Sequence, residues 1–143
     1  MTDDLIAFLN ARLDEDEAAA KKSHYEGQRW LTEEEGVYRW PTDELVHSAD
    51  RKADARHIAR FDPARVLREV AAKRAIVAAH QPMEALYGGW RIDKTWQERG
   101  LVCTTCGFDD SESGVAWPCL TIRSLAAVYS DHDDYRQEWK PAA

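Results

Sequence analysis

The sequence predicts a single small α+β domain over residues 1–143, mainly helical, with a short antiparallel sheet near 28–49. Two observations predict this. Apolar residues recur at helical spacing, with capping signals, through 3–22 and 63–80, and an aromatic, β-prone stretch interrupts that period between 28 and 49.

Leu5, Ile6, Phe8, Leu9 and Leu13 form one apolar stripe, with Thr2 or Asp3 available as a cap and Asp4 suited to the helix dipole. These residues predict a helix over 3–22. Its second half, DEDEAAAKK, favours helix by alanine propensity and acid-before-lysine pairing rather than by burial, so it is expected to project or fray. From Gln28, QRWLT and VYRWPT read as strands around the Gly-containing EEEG turn, and ELVHSA reads as a third, with Leu45 and Val46 on opposite sides. Three short strands need helices over one face.

RKADARHIARF predicts a helix over 51–61, ended by the proline at 63, because the residue before a proline is pushed out of helical geometry. DPARVLREVAAKRAIVAAH predicts the next helix, 63–80. Asp62 is a preferred N-cap, Pro63 occupies the first turn, and Val66, Leu67, Val70 and Val77 repeat on one face, with His80 closing that face. WRIDKTWQERG carries no clear period and reads equally as helix, strand or ordered loop within the connecting stretch 81–102. The zinc knuckle and C-terminal helices are expected within 101–139, where Cys119, Ile122, Leu125, Ala126 and Tyr129 share a helical face started by Pro118 and SDHDDYRQEWKP ends in a short helical turn.

The N-terminal MTDDLIAFLN has acids where a secretory leader would be basic, and no run reaches membrane-spanning length, so a cytoplasmic protein without a membrane partner is expected. Three cysteines form no disulfide framework in a reducing compartment, which leaves metal ligation, a reactive thiol or burial. In CTTCG, a Cys-x-x-Cys turn lets Cys103 and Cys106 point to one side, and Gly107 lets the chain turn back. Cys119, in the first turn of the predicted helix, sits where the dipole favours a thiolate. With no fourth cysteine, His80 is the first choice for the last ligand, and His132 and His57 are the alternates. The competing reading is three ordinary thiols beside a histidine that caps its own helix, and spacing alone leaves both open. If complete, the Cys3His set is a structural zinc site that staples the C-terminal half, because four protein ligands leave no open position. Neither the zinc-deaminase arrangement nor a thioredoxin-like motif fits HQPME and VCTTC.

Three blocks, MTDDLIAFLNARLDEDE, HIARFDPARVLREVAAKRAIVAAH and CTTCG followed by WPCLTIRSLAAVYSDHDDYRQEW, cover just over half the chain. They resemble a family of small actinobacterial and actinophage proteins catalogued only as a domain of unknown function. The resemblance implies that the equivalents of His80, Cys103, Cys106 and Cys119 recur in that family, which favours the metal reading. Phe61 departs from the histidine common in the family's HIARHDPARVL, and the resemblance brings no activity.

The formal net charge of −7 disfavours non-specific nucleic-acid binding, but residues 51–74 carry a local excess of five positive charges, leaving −12 elsewhere. No phosphate loop, nucleophile elbow or helical HExxH is present. The favoured expectation is a non-enzymatic binding or regulatory protein of phage or prophage type acting on a protein partner, with Trp30, Trp40, Trp90 and Trp96 as interface candidates. The first alternative is nucleic-acid binding through Arg56, Arg60, Arg65 and Arg68 on the basic helices. The second is a metal-dependent hydrolase using His47, His57 and the nearby acids Asp50 and Asp54, whose carboxylates serve equally well as solvated helix caps.

Overall fold

The computed structural model describes the backbone of residues 2–23, 26–90, 95–107 and 115–142, and the side chains of these except 2–3 and 85–99. The α+β expectation holds, with helices and a short antiparallel sheet in the 28–49 region. In order come α1 (Thr2–Ser23), β1 (Arg29–Glu33), β2 (Gly36–Trp40), β3 (Glu44–Ser48), α2 (Lys52–Arg60), α3 (Pro63–Ala79), β4 (Pro82–Trp90), β5 (Thr95–Cys103) and α4 (Leu120–Ala127), then a 3-10 turn at Gln137–Trp139. The chain divides into two compact units, residues 13–72 on the one hand and 1–12 with 73–143 on the other. No described helix is long and apolar enough to cross a membrane.

In the unit of residues 13–72, β1, β2 and β3 pair antiparallel in that order, and α2 packs on β1 and β2. The alternation predicted for these strands decides which side α2 covers. Val37, facing that side, is fully buried, as is Ala55 of α2. Leu31, Tyr38 and Leu45 lie opposite one another across the three strands, and Leu31 and Leu45 are exposed. The expected glycine turn differs in detail. Glu34 and Glu35 make the turn, Glu34 with a positive φ of 53°, while Gly36 opens β2. The Tyr38 ring lies over Gly36, where a Cβ would meet its outer atoms, so a side chain there would require that ring to move aside; close approach rather than turn geometry favours glycine.

The other unit has its core where the first half of α1 meets α4. Leu5 and Leu9, one turn apart, are 1% exposed, and Ile122 and Ala126 of α4 are fully buried, with Phe8 and Trp139 completing the cluster. In the connecting stretch 81–102, which the sequence leaves open, β4 and β5 are the two strands of a hairpin. β4 and β5 pair antiparallel along their full lengths, from Pro82 opposite Cys103 to Trp90 opposite Thr95. Cross-strand hydrogen bonding, which no local preference reveals, carries Gly88, Gly89 and Gly100 into strands that their residue type disfavours.

Candidate metal centre

Four side chains meet at the base of that hairpin. His80 follows α3 directly, its N–H still bonded to the Ile76 carbonyl at 3.0 Å. β4 starts two residues later, and its first residue, Pro82, is in register with Cys103 at the end of β5. The hairpin therefore returns the chain to the end of α3 and sets Cys103 beside His80. The stretch 115–117 then runs back along β5, with the Cys103 N–H on the Val115 carbonyl at 3.0 Å and the Trp117 N–H on the Leu101 carbonyl at 2.9 Å. That pairing delivers Cys119. It is the N-cap of α4 rather than a residue of its first turn as expected, one position earlier but still at the positive end of the helix.

The resulting geometry fits a tetrahedral ion. His80 Nδ1 lies 3.3 Å from Cys103 Sγ, 3.6 Å from Cys106 Sγ and 3.6 Å from Cys119 Sγ. Zinc bound at about 2.05 Å to nitrogen and about 2.3 Å to sulfur in a regular tetrahedron sets the nitrogen about 3.6 Å from each sulfur. All four ligand atoms lie within 4.8 Å of one another, and Cys103 and Cys119 are buried while His80 and Cys106 are partly so. This set of three sulfurs and one imidazole nitrogen, half-sheltered from water, suits zinc among common divalent ions.

The two threonines of CTTCG are not mere spacers. The Thr104 hydroxyl donates to the Ala79 carbonyl at 2.9 Å and accepts the Gln81 N–H at 3.0 Å, and the Thr105 hydroxyl also donates to Ala79. Both thus satisfy the last turn of the helix that presents His80, where helix carbonyls lack internal partners. The knuckle is locked further by the Thr104 N–H on Gln81 and the Gly107 N–H on Cys103, each at 2.9 Å, with Gly107 at a φ of +61°. Sequence reasoning missed these threonines, whose only signal was two hydroxyls between metal-spaced cysteines.

The thiols are electrostatically unequal. Burial pushes the Cys103 thiol up, but the backbone N–H groups of Cys106 and Thr105, with the His80 and Cys106 side chains, outweigh it and bring it down to about 7. Burial first, and then the hydrogen bonds and negative charge of Cys103 and Cys119, push the Cys106 thiol up to about 12. Three crowded sulfurs do not all ionise near neutrality by themselves. A divalent cation held among them would supply the missing positive charge.

The other predicted residues lie elsewhere. His132 Nδ1 accepts from the Arg12 guanidinium at 3.2 Å and the Asp134 N–H at 3.1 Å, so neither it nor His57, whose ring lies 5.0 Å from that of Phe61, joins the cluster. Asp54 is bound to Arg51 by two hydrogen bonds of 2.9 Å, and His47 is exposed, so nothing gathers these groups into a second centre. Arg56, Arg60 and Arg68 are exposed, whereas Arg65 is half-buried and bonded to Glu69 at 2.7 Å. Trp40 is 44% exposed and Trp30 half-buried, and the side chains of Trp90 and Trp96 lie outside the described residues.

The chain matches the Family of unknown function (DUF6221) over residues 2–141 and belongs to that family. No curated protein and no solved structure matches it.

Proposed function

From membership of a family with no assigned activity and from the geometry at His80, we propose that the protein is a small, non-enzymatic, zinc-stabilised binding or regulatory protein that acts through a protein partner. The observation that carries this reading is the set of three Nδ1···Sγ distances, 3.3, 3.6 and 3.6 Å, converging on one histidine nitrogen. With His80, Cys103, Cys106 and Cys119 all committed, a bound zinc supplies cross-linking rather than a site for substrate. Its role is to hold the end of α3, the β4–β5 hairpin and the start of α4 together, so that binding free energy becomes folding free energy. The actinobacterial and phage or prophage setting enters this proposal through the motif blocks MTDDLIAFLNARLDEDE, HIARFDPARVL and CTTCG, and a cytoplasmic location through the reduced thiols the site requires.

Elemental analysis of the protein purified without added metal tests the reading. One zinc per chain is expected, lost in Cys106→Ser together with a clear drop in Tm. A metal-free protein whose Tm is the same in wild type and Cys106→Ser would overturn it.

A further inference from the structure

The bend between α2 and α3, within the unit of residues 13–72, joins an apolar groove to uncompensated positive charge. The groove, about 310 Å³, is walled by Ala20, Trp30, Phe61, Pro63 and Val66, with Asp16 its one acid. Phe61 stands between the two helices and is 42% exposed, a large apolar surface left to water beside a cavity.

The arginines continue from that ring. Arg65 places its guanidinium 4.2 Å from the Phe61 centroid and donates to the Arg60 carbonyl at 3.2 Å, so Arg60, Phe61 and Arg65 are contiguous. Arg56 precedes Arg60 by one turn of α2, and Arg68 follows Arg65 by one turn of α3. The acids of the region are already engaged. Asp54 pairs with Arg51, Glu69 with Arg65, and Asp62 accepts the Arg65 N–H at 2.8 Å. Arg56, Arg60 and Arg68 are exposed and form no ion pair among the described residues.

We propose that this bend is a docking surface for an acidic amphipathic peptide segment of a partner protein, with an aromatic or branched aliphatic side chain in the groove and carboxylates on Arg56, Arg60 and Arg68. The proposal deepens the binding-protein reading and rests on it. Charge selects the partner: the exposed Arg56, Arg60 and Arg68 offer positive charge to the carboxylates of an acidic segment, whereas the formal net charge of −7 disfavours the extended phosphate backbone of a nucleic acid. The ring chemistry points the same way. Phe61 already carries the Arg65 guanidinium over its face and the His57 ring at 5.0 Å, so it is no open platform for stacking a base, while its exposed part still closes an apolar groove.

Panning a displayed library of random peptides on the full-length protein as purified tests this. Selected sequences are expected to place carboxylates around an aromatic or branched aliphatic residue. Synthesised peptides should bind at least about tenfold more weakly to an Arg60→Glu, Arg68→Glu double variant. They should lose about tenfold against Phe61→Ala, with zinc content and circular dichroism of both variants unchanged. The charge variant alters exposed residues only, so it remains a test if Phe61→Ala folds poorly. Selection of no peptides, selection without an acidic bias, or affinities indifferent to the charge variant overturns the proposal. So does an oligonucleotide that binds more tightly than every selected peptide at the same ionic strength and is lost in the same variant, which would assign the surface to nucleic acid. These outcomes separate from the metal reading: one zinc per chain without peptide selection removes the docking surface alone, and peptide selection by a metal-free protein removes the zinc site alone.

Discussion

The hydroxyl of Thr104, between the two cysteines of the knuckle, donates to the carbonyl of Ala79, the last residue of α3, at 2.9 Å. The turn that carries two candidate ligands therefore also caps the helix that presents a third. Partners bonded directly to metal ligands commonly carry 10- to 100-fold in metal affinity, and these hydroxyls act one step removed, on the backbone that presents His80, so the low end of that range is expected. Thr104→Val, Thr105→Val together keep the shape and remove both donors. Because both side chains are exposed, water replaces part of what is lost, and the stability cost should be about 1 kcal/mol. Zinc affinity, read by competition with a chelating dye, should fall about tenfold, while binding remains at one ion per chain. An unchanged affinity would show that the threonines act on the helix end alone.

The unequal thiols predict how the metal-free protein titrates. Held at about 7, Cys103 should give a thiolate well before an ordinary thiol does, while Cys106, pushed up to about 12, should stay protonated through the neutral range. The sign for stability follows from linkage. For Cys103 the folded value lies below the unfolded value of about 8.5, so its contribution is complete above that pH and disappears as pH falls through about 7. Cys106 acts in the opposite direction, so stability should decline as pH rises from about 8.5 toward about 12. The Tm of metal-free protein should accordingly be highest between these limbs, and ultraviolet thiolate absorbance should include an early step from Cys103 and a late one from Cys106. Because the sulfurs interact, the steps belong to the cluster rather than to single residues. Added zinc should ionise all three thiols near neutrality and release protons in doing so. Two thiolates titrating together near 7 without metal would contradict the arrangement.

Much of this fold could be read locally because local chemistry decides it. The Leu5, Phe8 and Leu9 stripe, the Asp62–Pro63 helix start and the alternation around Val37 each specify an element without reference to distant residues. The four residues of the cluster were identifiable as candidate ligands for the same reason: spacing, a helix start and a helix end. What assembles them was not. Pro82 stands opposite Cys103 through a pairing made by backbone groups, and Gly88, Gly89 and Gly100 disguise it by interrupting the β-prone pattern. The threonine contacts to Ala79 likewise join residues far apart in sequence, and only the hairpin makes them neighbours. At Gly36 the sequence reads as a turn because turns commonly use glycine, whereas what favours glycine there is the Tyr38 ring two residues later, which lies over it.

Asp62 links two elements through one carboxylate. Its Oδ1 accepts the Arg65 N–H at 2.8 Å, which caps α3, and its Oδ2 accepts the Trp30 N–H of β1 at the longer distance of 3.4 Å. Replacing an N-cap acid by alanine costs about 1 kcal/mol, rising to about 2 in favourable sites. Here the variant also deprives a part-buried strand N–H of its partner, so Asp62→Ala should cost about 1.5 kcal/mol. Asp62→Asn keeps an acceptor oxygen for the helix and should stay within about 0.5 kcal/mol of wild type. Urea midpoints at constant m-value measure both. Zinc content should remain at one per chain in each variant, since the cap lies at the opposite end of α3 from His80. Equal losses for alanine and asparagine would mean that charge rather than capping geometry is what the site uses, and a loss of zinc in either would mean that the start of α3 governs how its far end presents the ligand.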